Sequence, residues 1–79
     1  MWYHSDMDDL TAVKNEFERA SGIYAPFNSA HEGYAVLLEE VEELWDEVKK
    51  SPKKRDPAKM KEEAIQVAAM ALRFLHDCT

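Results

Sequence analysis

Cysteine, glycine, proline and basic charge are all scarce in this chain of 79 residues. The single cysteine, Cys78, leaves no internal disulfide and fits a reducing compartment, so a cytoplasmic location is expected. With two glycines there is no glycine-rich phosphate loop, and no stretch carries a strand signal. No apolar run approaches the roughly 18 residues that a membrane span needs, which argues against a membrane partner. The opening MWYHSDMDD has no basic region followed by an apolar one, so it is not expected to be a signal peptide. Ten Lys and Arg stand against 16 Asp and Glu, for a net charge of -6. That balance argues against a nucleic acid polymer as partner, whose backbone calls for clustered cations. It leaves a nucleotide open, because a divalent cation can bridge acidic side chains to phosphates.

What the chain does have is helical periodicity. It is 46% hydrophobic and long enough for one domain, residues 1–79, though a chain this short gains stability by associating. The spacing predicts three helices and an all-α fold. The first runs from Ser5 or Asp6 to Ala20, with Leu10, Val13, Phe17 and Ala20 on one face, aspartates at its start and Gly22 as its stop. The second opens at Ser29, where SAHE has the form of a capping box, and ends near Lys50. Its stripe of Tyr34, Leu37, Leu38, Val41, Leu44, Trp45 and Val48 predicts a core face with Trp45 at its centre. Asp56 and Pro57 open a third helix that reaches Asp77, antiparallel to the second across a short connector. From Ala64 onward this helix is apolar nearly all round. We expect a second subunit to bury what three helices cannot, completing a helical bundle as a homodimer or tetramer.

The second helix also carries EEVEELWDE, Glu39 to Glu47, in which six of nine residues are acidic. Glu40, Glu43 and Glu47 share an arc of about 60°, so their like charges repel. A solvated acidic face accounts for such a pattern by itself. Glu63 adds weight to a different reading, because it lies beside the apolar stripe of the third helix and needs a partner there. Antiparallel packing brings Glu63 opposite Glu40 and Glu43. Carboxylates from two helices, unpaired with lysine, describe a site for a hard divalent cation such as Mg²⁺, with Mn²⁺ as the substitute.

These residues resemble the MazG-like family of all-α nucleoside triphosphate pyrophosphohydrolases. The family motif is EExxE, a spacer, then ExxD. Glu39-Glu40-Val41-Glu42-Glu43 is similar to the first half, and Glu63-Ala64-Ile65-Gln66 stands in the place of the second. The strings HEGYAVLLEEVEELWDEVKK and EEAIQVAAMALRFL are similar to small phage and bacterial members, from His31 to about His76. The resemblance implies that Glu40, Glu43 and Glu63 ligate metal, joined by Gln66 where the family has Asp. It implies a nucleoside triphosphate substrate, cleaved between the α and β phosphates to the monophosphate and pyrophosphate, and assembly as dimers or tetramers. Glu39 is then the candidate catalytic base, and Lys49, Lys53, Lys54 and Arg55 are candidate phosphate contacts. The alternative is a helical binding module that keeps the fold and has lost the chemistry at Gln66.

Other residues carry less. His31 reads as exposed in the first turn of its helix, and His4 and His76 belong to no motif. No Glu is followed three residues on by His, so the pairing used by di-iron bundles is missing. Cys78 has no partner base in the sequence pattern and is not a nucleophile candidate. Trp2 and Tyr3 precede the first clear helical signal.

Overall fold

The computed structural model describes residues 2–79, with side chains from Asp8 onward, so the expectations for Trp2, Tyr3 and His4 lie outside the described side chains. It is all-helical, with α1 at Trp2–Ile23, α2 at Ala30–Val48 and α3 at Pro57–Cys78, and no strand among the described residues. No described helix is long and apolar enough to cross a membrane.

Two of the expected helix starts are built as the sequence reads. Ser29 Oγ accepts the Glu32 N–H at 3.1 Å, capping α2. Glu32 reaches back one residue further than a capping box requires, accepting the Asn28 N–H at 2.7 Å. Asp56 caps α3 through the Ala58 and Lys59 N–H groups, with Pro57 in the first turn. α1 departs from expectation at both ends. It begins at Trp2, ahead of the aspartates, and runs through Gly22 to Ile23. Gly22 has no positive φ and so is not a left-handed cap. The helical pattern continues to the Tyr24 N–H, which donates to Ala20 O at 2.9 Å, and the chain turns away before Pro26.

α3 is the middle element. It packs against α2 on one side and α1 on the other, and α1 and α2 make no helix contact with each other among the described residues. Two flanking helices thus account for much of the apolar girth of α3. The start of α2 meets the end of α3 and Glu43 meets Glu63, so these two helices run antiparallel. Ala20 and Ala69 are the most completely buried apolar residues, with Met70 beside them in a small core. Gly33 lets α2 close onto α3. A Cβ there would lie 2.9 Å from the Phe74 ring and 3.0 Å from both Cys78 Sγ and the Phe27 ring.

The α1–α2 connector is pinned to α3 by a buried ion pair. Arg73 donates to Ala25 O at 2.9 Å and lies 4.5 Å above the Phe27 ring. Asp77 accepts the Phe27 N–H at 3.1 Å and sits 3.8 Å from the Arg73 guanidinium. The bond from His76 and the backbone donor hold the Asp77 carboxyl below the usual range.

One expectation for α2 is overturned. Its seam with α3 runs through Gly33, Val36, Leu37, Glu40, Leu44, Glu47 and Val48, which are buried or half-buried. The remaining stripe, Tyr34, Leu38, Val41 and Trp45, faces outward, and Trp45 is 57% exposed instead of lying in a core. The close approach at Gly33 fixes this rotation, and it turns carboxylates toward α3.

Candidate metal centre

The rotation of α2 places Glu40 and Glu43, one turn apart, against Glu63 of α3. One carboxylate oxygen from each lies within 4.8 Å of the others. Glu43 is exposed, Glu40 half-buried, and Glu63 only 8% exposed. Glu63 Oε2 is buried without a hydrogen-bond partner, and Lys59 approaches the other oxygen only to 3.8 Å. A buried, under-partnered carboxylate facing two more is costly as it stands.

The electrostatics follow the geometry. Burial, then the charges of Glu43, Glu63 and Glu39, pushes the Glu40 carboxyl up to about 7. Burial and the Glu43 carboxylate also raise Glu63, against a smaller opposing pull from Lys59. Lysine relieves the repulsion at Glu47, through Lys50, but only weakly at Glu63, through Lys59. An oxygen-rich, under-neutralised pocket of three carboxylates fits a hard divalent cation in its donor chemistry.

The other candidates are placed as follows. Glu39 is exposed beside the cluster and contributes charge to it. Gln66 is half-buried with its amide against Glu16 of α1, where it joins Arg19 in holding Glu16 low. Arg19 is the larger influence, at 2.6 Å and 2.8 Å from the Glu16 carboxylate oxygens. Lys49 pairs with Asp46 at 3.0 Å, and Arg55 Nε donates to Val48 O at 2.8 Å, closing the end of α2. Lys53 and Lys54 are exposed in the connector. Lys50, their neighbour in the basic run, pairs with Glu47 at 2.9 Å. Arg73 was not singled out as a functional residue from sequence; the one signal was an Arg inside an apolar run.

Set against family models, curated proteins and solved structures, the chain matches none.

Proposed function

We propose that this protein is a Mg²⁺-dependent nucleoside triphosphate pyrophosphohydrolase of the MazG-like type. The observation that carries the reading is the convergence of Glu40, Glu43 and Glu63 within 4.8 Å, with Glu63 Oε2 buried and unpartnered. The three carboxylates would hold the cation; Mn²⁺ would fit the same oxygens. When bound, the ion neutralises the triphosphate and polarises the phosphorus under attack. Glu39, exposed one residue from the cluster, would orient a water and take its proton. Lys53 and Lys54, free of acidic partners among the described residues, are the members of the basic connector left to meet phosphates.

The protein is further proposed to act as a homodimer or tetramer in the cytoplasm. Support comes from the outward stripe Tyr34, Leu38, Val41 and Trp45, whose spacing of four, three and four residues is that of an interhelical seam. One observation favours the second reading, a binding module without turnover: the Gln66 side chain lies near enough to Glu16 of α1 to help hold that carboxyl low.

The deciding experiment is incubation of the protein with a panel of dNTPs and Mg²⁺, following pyrophosphate and the monophosphate. Release from at least one dNTP that is lost in Glu43→Gln supports the enzyme. No release from any dNTP, with Mg²⁺ still raising the melting temperature, supports the module.

A further inference from the structure

A cavity of about 370 Å³ opens on the α1 side of α3, where it shares no residue with the acidic cluster. Glu18 and Ser21 of α1, Tyr24 of the connector, and Arg73, His76 and Asp77 of α3 line it. Its volume is in the range of small-molecule sites, about 300–1,000 Å³.

The wall is arranged around Asp77. Three groups converge on its nearly covered carboxylate: His76 Nδ1 at 2.9 Å, the Phe27 N–H at 3.1 Å and the Arg73 guanidinium at 3.8 Å. The His76 bond and the Phe27 N–H hold the carboxyl low, so Asp77 is ionised. An ionised carboxylate only accepts, so His76 Nδ1 carries the proton of their shared bond. In the neutral ring Nε2 is then an acceptor. The ring is exposed, Nε2 has no partner among the described residues, and the Phe17 ring meets it edge-on at 6.0 Å.

Charge and shape narrow the ligand. Glu18 brings a second carboxylate, with no ion-pair or hydrogen-bond partner among the described residues. Of the described residues lining the cavity, Arg73 is the permanent cation, and it already faces Asp77 and donates to Ala25 O. Two carboxylates against one guanidinium leave an excess of negative charge, so an anion is disfavoured. A neutral ligand leaves the Glu18 charge unanswered. An ammonium group answers both the carboxylate and the Nε2 acceptor, and an apolar body covers the Phe17 and Tyr24 rings.

We infer that this cavity binds an organic ammonium ion, a primary amine whose N–H groups meet Glu18 and His76 Nε2 while its hydrocarbon body lies against Phe17 and Tyr24. The site is separate from the proposed metal centre and stands whether or not that centre turns over nucleotides.

The test varies charge at constant shape. Benzylamine, benzyl alcohol and benzoate are each titrated calorimetrically into wild type, Glu18→Gln and Ser21→Trp. The pH is about 8, above the usual range of an imidazole and below that of an amine. Glu18→Gln removes the charge and keeps the shape; Ser21→Trp fills the cavity from α1. Both positions are exposed, and Glu18→Gln decides the matter if Ser21→Trp fails to fold. Wild type is expected to bind benzylamine at least about threefold more tightly than either analogue, and Glu18→Gln to weaken it by at least about threefold. Ser21→Trp is expected to weaken it by at least about tenfold. Benzoate or benzyl alcohol bound as tightly as benzylamine overturns the proposal. So does a benzylamine affinity that a folded variant leaves unchanged, and so does wild type that binds none of the three.

Discussion

Glu40 is where burial and charge conflict most openly, and the conflict has a measurable consequence. Glu40, pushed up to about 7, and Glu63, also raised from its ordinary 4.5, bind protons more tightly folded than unfolded. Their contributions to stability are complete below 4.5 and are lost as pH rises through their folded values, about 7 for Glu40. Glu16 and Asp77 are held low and act in the opposite sense, but their contributions change only below ordinary values of 4.5 and 3.8. In chelator, the melting temperature should therefore fall between about pH 5 and about pH 8. Millimolar Mg²⁺ at the upper pH should restore it, and Glu43→Gln should blunt that rescue; calorimetry in chelator and in Mg²⁺ reads both effects. Gln66→Asp separates two settings for that side chain. Beside Glu16, a new carboxylate should lower stability without metal. A larger gap between the Mg²⁺ and chelator melting temperatures than in wild type would place residue 66 within reach of the ion; an unchanged gap would place it with α1 alone. The three glutamates were legible because spacing and antiparallel packing suffice to bring them together. Arg73 was not, because its partners Ala25 and Phe27 lie 48 and 46 positions away in a connector without periodicity.

At the scale of the helices, capping was legible and rotation was not. Ser29 and Asp56 act on N–H groups two or three residues away, so local sequence suffices to place those helix starts. The face that α2 turns to α3 depends on how closely the two backbones approach, and Gly33 decides that. The helical wheel placed Trp45 inward because it weighs side chains and ignores the gap left by a glycine. Gly33→Ala tests this account. In an open helix the change would stabilise by about 1 kcal/mol. Here the added methyl meets the Phe74 and Phe27 rings and Cys78 Sγ, so overpacking of about 1–3 kcal/mol should outweigh it. The expected outcome is a lower melting temperature. A rise would mean that α2 and α3 are not in this close contact.

For the whole molecule, the arrangement of α3 between α1 and α2 leaves a small core and a large apolar remainder. Ala20, Ala69 and Met70 are its buried apolar residues, while Tyr34 remains 60% exposed and Leu72 37% exposed. The expectation that α3 needs a second subunit to cover it is therefore only partly necessary, since α1 and α2 cover much of it. The stronger demand for a partner comes from α2. Two substitutions distinguish folding from association. Met70→Glu puts a carboxylate at a core position only 6% exposed and should cost more than about 3 kcal/mol, enough to unfold a domain of this size. Trp45→Glu alters a side chain that is more exposed than covered in its own chain, so the helical circular dichroism should persist. If the Tyr34–Trp45 stripe joins two copies, a charge at its end should weaken the seam and shift the mass toward that of a single chain. Light scattering should then give a multiple of 9.1 kDa for wild type at micromolar concentration, and a value approaching 9.1 kDa for Trp45→Glu. A wild-type mass of 9.1 kDa would leave the stripe without a partner copy. A mass that Trp45→Glu does not change would move the seam to another face, with the exposed Leu72 and Leu75 of α3 next to be tested.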